Sequence, residues 1–175
     1  ISKTHFILTN IHRPSNTDEK SNLEAIVMSL ISITEKTGYE IVLPLHPRTK
    51  KYLEVYGLLS SLTQNNKIHL LPPASYLEMI YLEKSCSMVI TDSGGVQKEA
   101  FYFKKPALII RNETEWVEIV EAGCAKLVKA TEIFSSILEF ESNPPIFFPE
   151  IFGDGKAAHF ICGKILEMQK GKDPN

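Results

Sequence analysis

The stretch Val89-Ile90-Thr91-Asp92-Ser93-Gly94-Gly95-Val96-Gln97-Lys98-Glu99-Ala100 runs from an apolar strand through a Ser-Gly-Gly turn straight into a helical pattern. A buried strand that passes at once into a helix is one β–α unit of a parallel sheet. Two glycines let a ligand approach the backbone closely. The first N–H groups of the helix, at its positive end, suit a phosphate. Glu99 stands on the first turns, within reach of anything docked there. The same residues would serve an ordinary strand–helix turn, with Ser93 as N-cap and Glu99 as a solvated charge. The residues alone leave both readings open.

The pattern repeats outward from this unit. Short runs rich in Ile, Val and Leu predict strands at Phe6–Thr9, Ile41–Pro44, Ile68–Leu71, Met88–Thr91, Ala107–Ile110 and Lys126–Val128. They are apolar on both faces, as strands covered by helices on each side should be. Between them, Leu23, Ile26, Val27, Leu30 and Ile31 recur at the spacing of one helical stripe. Ser75 followed by Glu78 predicts a capping box, opening a helix that carries Leu77, Ile80 and Tyr81. Asp154 is expected to cap a last helix, 154–170, with the stripe Ala157, Phe160, Ile161, Ile165 and Met168. Strict β–α alternation predicts a doubly wound parallel α/β sheet of about six strands. The irregular stretch Ser142–Phe152, with Pro144, Pro145 and Pro149, would carry the last helix away from the sheet faces.

The chain has 175 residues, 43% hydrophobic and 23% charged, with a net charge of −2. That suits one globular domain over 1–175. Lys and Arg are scattered, which argues against nucleic acid, where a basic stripe is expected. No apolar run approaches the roughly 20 residues of a membrane span. Cys86, Cys124 and Cys162 are odd in number and far apart, so a reducing cytoplasm is the expected setting. Ile1-Ser2-Lys3 runs directly into Phe6-Ile7-Leu8 with no starting Met, and an absent N-terminal partner domain is expected.

In open α/β sheets ligands gather at the carboxyl ends of the strands, and further polar segments fall there. Thr9-Asn10-Ile11-His12-Arg13 offers a His-Arg pair that could neutralise a diphosphate or handle a proton, or simply be a surface loop. Leu45-His46-Pro47-Arg48 places His46 in a proline-stiffened turn, structural or part of a second site. Leu71-Pro72-Pro73-Ala74-Ser75-Tyr76 could face a base, and Arg111-Asn112-Glu113-Thr114-Glu115-Trp116 follows the fifth strand. Neither a Ser-His-Asp order nor grouped metal ligands appear, so no metal is expected.

Taken in order, these segments resemble the C-terminal half of the non-hydrolysing UDP-N-acetylglucosamine 2-epimerases, of glycosyltransferase-B type fold. Ile90–Ala100 is similar to that family's T-D-S-G-G-x-Q-E-E-A signature, with Lys98 in place of the first Glu. His12-Arg13 resembles its H-R-x-E-N segment, with Ser15 for the Glu, and His46-Pro47 its His-containing loop. Arg111–Glu118 resembles R-x-x-T-E-x-x-E, with Trp116 where Arg is frequent, and Gly153–Ala158 resembles G-D-G-x-A-A. The resemblance implies that Ser93, Gly94 and Gly95 hold the UDP phosphates and that Glu99 takes the ribose hydroxyls. Leu71–Met79, including Ala74 and Met79, would contact uracil, with Arg13 and Trp116 completing the UDP site. His12 would lie beside the phosphates as the catalytic residue of this half, and His46 would serve a second site or the fold.

The implied reaction inverts C2 of UDP-N-acetylglucosamine by eliminating and re-adding UDP, with no cofactor. The proton-handling carboxylates would lie in an N-terminal domain outside this chain, against which the last helix would pack. This chain alone would then be inactive. A second copy of the chain is a further candidate partner, and cell-surface polysaccharide biosynthesis the expected setting. Two rivals stand beside this reading: a UDP-sugar glycosyltransferase of the same fold, and a non-catalytic UDP-sugar-binding module.

Overall fold

The computed structural model describes residues 5–170; the opening Ile1-Ser2-Lys3 of the expected domain 1–175 lies outside them. Strands β1 (Phe6–Asn10), β2 (Glu40–Pro44), β3 (Ile68–Leu71), β4 (Met88–Thr91), β5 (Ala107–Ile109) and β6 (Ala125–Leu127) form one sheet in the order β3-β2-β1-β4-β5-β6. Every neighbouring pair is parallel. The expected strands are all present, with ends shifted by at most one residue, and the doubly wound class holds.

The helices are α1 (Pro14–Thr17), α2 (Lys20–Lys36), α3 (Pro47–Val55), α4 (Leu59–Thr63), α5 (Tyr76–Ser85), α6 (Gly94–Tyr102), α7 (Val117–Glu121), α8 (Ile133–Ser142) and α9 (Ala157–Lys170). Side chains alternate across a strand, so each strand feeds two cores. Ile7, Met88, Ile90 and Leu108 enter one, with Leu23, Ile26, Val27 and Leu30 of α2 and Ile133 and Ile137 of α8. Phe6, Leu8, Val89, Ala107 and Ile109 enter the other, with Leu82 of α5, Val96 and Ala100 of α6 and Ile119 of α7. Burying such side chains contributes about 1.5–3 kcal/mol each.

Two expectations need correction. The capping box of Ser75 and Glu78 is present, but the stripe on α5 is not the one the sequence suggested. Leu77 and Tyr81 are exposed, whereas Leu82, Glu83 and the following Cys86 are buried. The reason is sheet packing: α5 lies against α6, and the face carrying Met79, Leu82, Glu83 and Cys86 meets that core. Asp154 does not cap α9. Its carboxylate accepts the Lys156 N–H at 3.0 Å, a local turn, and the helix begins at Ala157. The apolar side chains of α9 lie open, Phe160 and Met168 each 68% exposed. Among the described residues, no helix is long and apolar enough to cross a membrane.

Candidate functional site

The order of the strands reverses between β1 and β4, and the crevice at their carboxyl ends is where such sheets take ligands. Two segments meet there: Asn10–Arg13 from β1 and Thr91–Gly95 from β4. Asp92 joins them. Its carboxylate is fully buried and accepts the backbone N–H groups of His12 at 3.1 Å and Arg13 at 2.9 Å, and the Asn16 amide at 3.0 Å. Its own N–H donates to the Asn10 carbonyl at 3.2 Å. Burial alone would push this carboxyl up, but the hydrogen bonds from His12, Asn16 and Arg13 hold it below the ordinary carboxylate value. Asp92 is thus an internal clamp, a role invisible in the sequence, where an Asp at a strand end reads alike whether it points in or out.

The turn that follows keeps the first donors of α6 open. The Ser93 N–H, however, is already taken by the Thr91 hydroxyl at 2.9 Å, so the expected backbone contact of Ser93 to a phosphate falls to Gly94 and Gly95. Ser93 occupies the N-cap position of α6 without any side-chain cap bond. The first N–H groups of a helix have no intrahelical partner, and those of Gly94 and Gly95 face this end of the sheet. Neither glycine has a positive φ, so backbone strain does not require glycine here. A Cβ on Gly95 would come no nearer than 3.9 Å to Ser93 Oγ, and one on Gly94 would meet Glu115 Oε2 at 3.3 Å. At Gly95 the fold leaves the space, and a side chain would take it from a ligand. At Gly94 the contact is tight, and Glu115 would have to give by a few tenths of an ångström.

Cations and a carboxylate flank the turn. The Arg13 Nε donates to the Asp92 carbonyl at 2.8 Å, and its Nη2 stands 3.8 Å from Glu115. Arg111 grips Glu115 through two bonds of 2.6 and 2.9 Å, and this bond above all pulls the Glu115 carboxyl down to about 2. Thr114 donates to Gln97 at 2.6 Å, tying this loop to α6. Trp116 is bound inward: its indole N–H donates to the Gly94 carbonyl at 2.8 Å, and its ring lies 4.2 Å from the Lys98 ammonium. The two departures at Lys98 and Trp116 therefore touch each other, and Trp116 supports the turn from behind.

His12 hydrogen-bonds through Nδ1 to Asp92 and to Asn10, each at 3.2 Å. A carboxylate only accepts, so Nδ1 carries the hydrogen and Nε2 is left for a ligand. His46 stacks beside it, ring centroids 5.3 Å apart. The His46 Nδ1 accepts the Arg48 N–H at 3.2 Å, capping α3. Partial burial, then the neighbouring His12 and Arg48, keep its pKa below the ordinary value. His46 has a structural task and also borders the crevice.

Beyond the turn, Leu71, Pro72, Pro73, Ala74, Leu77 and Tyr81 wall an apolar cavity of about 470 Å³. Ala74 lines it; Met79 packs instead against the core. Glu99, half-buried on α6, meets the fully buried Glu83 of α5. Glu83 was missed in the sequence, although its place between Leu82 and Cys86, one turn after Met79, marks it as inward-facing.

This topology, with an open helix start at the strand reversal, defines a nucleotide-type doubly wound α/β domain. The chain belongs to the UDP-N-acetylglucosamine 2-epimerase family, whose profile matches residues 1–166. It is 43% identical over 170 residues to a UDP-N-acetylglucosamine 2-epimerase homolog of Methanococcus maripaludis, covering 96% of this chain and 45% of that protein. It is 45% identical over 129 residues to the UDP-2,3-diacetamido-2,3-dideoxy-D-glucuronate 2-epimerase of Pseudomonas aeruginosa, covering 74% of this chain and 34% of that one. The crystal structure of the Methanocaldococcus jannaschii UDP-GlcNAc 2-epimerase in complex with UDP-GlcNAc and UDP superposes with a TM-score of 0.84 at 36% identity, over 95% of this chain and 46% of that one. The chain thus spans about half the length of the Methanococcus relative and of the Methanocaldococcus structure.

Proposed function

We propose that this chain is the UDP-holding half of an enzyme that interconverts UDP-N-acetylglucosamine and UDP-N-acetylmannosamine. The reaction removes the C2 proton and expels UDP from C1, then adds both back with the opposite configuration at C2. The observation that carries this reading is the uncapped start of α6 at the strand reversal, where Gly94 and Gly95 present N–H groups, and Ser93 its uncommitted hydroxyl, to a diphosphate. Arg13 adds positive charge beside it, with Trp116 holding the turn in shape. Glu99 takes the ribose hydroxyls, and uracil enters near Ala74. His12 Nε2 faces the leaving diphosphate, to which it donates only when the ring carries a proton on both nitrogens, and His46 buttresses its ring. The complex of the Methanocaldococcus jannaschii relative with UDP-GlcNAc and UDP supports a UDP-sugar as the ligand.

Removing and returning a carbon-bound proton needs a positioned base on each face of the sugar. We assign those groups to an N-terminal half, and the open face of α9 to packing against it. The free thiols Cys86, Cys124 and Cys162 fit a reducing cytoplasm. A second reading concerns the sugar: the identity to the Pseudomonas enzyme favours a diacetamido uronate nucleotide as an alternative substrate. Assay of the full-length protein on both sugar nucleotides separates the two. Transfer to an acceptor instead of C2 inversion would identify a glycosyltransferase, and UDP binding without turnover a regulatory module.

A further inference from the structure

Glu83 stands where a charge does not belong. It lies on the core-facing side of α5, 0% exposed, and neither carboxyl oxygen finds a hydrogen-bond donor among the described residues. Its polar neighbour is the carboxyl of Glu99. An unpaired buried carboxylate is costly, and two ionised carboxylates face to face would add repulsion. Two acceptors share such a contact only when one of them carries a proton.

We propose that Glu83 is a positioning residue: as a neutral carboxylic acid it donates a hydrogen bond to the Glu99 carboxylate and fixes the rotamer in which Glu99 meets the ribose. This rests on the reading that Glu99 takes the ribose hydroxyls. The geometry explains why a carboxyl group stands at a position flanked by Met79, Leu82 and Cys86. Burial first, then the charge and hydrogen bond of Glu99, raise the Glu83 pKa to about 8. The other titratable group beside it is Cys86, which donates to the Glu83 carbonyl at 3.2 Å. Burial pushes the Cys86 thiol up to about 12 despite Lys105 nearby, so it stays neutral throughout. Glu99 remains the acceptor, free to offer its other oxygen to the sugar, and above pH 8 the clamp opens.

The test is UDP affinity of the full-length protein from pH 6.5 to 9.5, for wild type, Glu83→Gln, Glu83→Leu and Glu99→Gln. If only the protonated form is competent, wild type should lose about tenfold in affinity between pH 7 and 9. Glu83→Gln keeps a neutral donor and should stay within about twofold of its pH 7 value relative to that loss, while sharing any titration of UDP itself. Glu83→Leu, folded and apolar, should bind weakly at every pH. Parallel curves for wild type and Glu83→Gln, with Glu99→Gln weak, would remove the role of Glu83 and leave the ribose reading standing. Full affinity of Glu99→Gln at pH 7 would overturn the ribose reading and this proposal with it.

Discussion

Asp92 transmits the geometry of β4 to the β1 loop, because three donors from His12, Arg13 and Asn16 converge on one buried carboxylate. Hydrogen bonds to a charged acceptor contribute about 1.5–3 kcal/mol each, so Asp92→Ala should cost at least about 3 kcal/mol in urea unfolding. The folded pKa is depressed, so this stabilisation is present above the ordinary value of 3.8 and lost as pH falls through the lower folded value. His12→Ala keeps the backbone bond but loses the Nδ1 bond to Asp92, so it should cost about 1.5–3 kcal/mol in urea unfolding and cut turnover of the full-length enzyme on the order of a hundredfold. Glu83 runs the other way: its folded pKa is raised from 4.5 to about 8, so its stability contribution is intact below 4.5 and lost as pH rises through 8. Glu83→Gln should therefore gain Tm over wild type at pH 8 and none at pH 4. At this scale the sequence reveals least. His12, Ser93 and Glu99 stood out by motif, whereas the roles of Asp92 and Glu83 depend on which way a carboxylate points.

The β4–α6 unit is where element and function coincide. Gly95 lies in the first turn of a regular helix with room for a Cβ, and Gly costs a helix about 0.5–1 kcal/mol relative to Ala. Gly95→Ala should leave thermal stability unchanged or slightly raised and weaken UDP binding, measured by calorimetry; a loss of both would mean the glycine serves the fold. Elements were legible because short Ile-, Val- and Leu-rich runs bounded by polar turns have few other uses, and all six strands fall where they were expected. The buried face of α5 was not, because Leu77, Ile80 and Tyr81 offer as good an apolar stripe as Met79, Leu82 and Cys86. Packing against α6 chose between them, and that is a tertiary fact.

The sheet carries two cores, the second joined by Phe148 and Phe152 of the proline-rich stretch, while α9 stands with Phe160, Ile161, Ile165 and Met168 open. On our account the nucleotide is held here and the C2 proton is moved elsewhere. The 175-residue chain should bind UDP but place no deuterium at C2 of UDP-N-acetylglucosamine in deuterated water, followed by NMR. The division of labour depends first on where UDP sits. Among the described residues, cavities compete at this end of the sheet: the apolar one beside Ala74, another of about 490 Å³ between Leu45, Pro47 and Pro72, and one of about 300 Å³ walled by Asn16, Asn22, Arg111 and Lys129. Titrating UDP into the ¹⁵N-labelled chain and mapping amide shifts decides between them. The account predicts the largest shifts at Gly94, Gly95, Glu99 and Ala74. Shifts centred on Asn22, Asn112 and Lys129, with Gly94 and Gly95 unmoved, would contradict it.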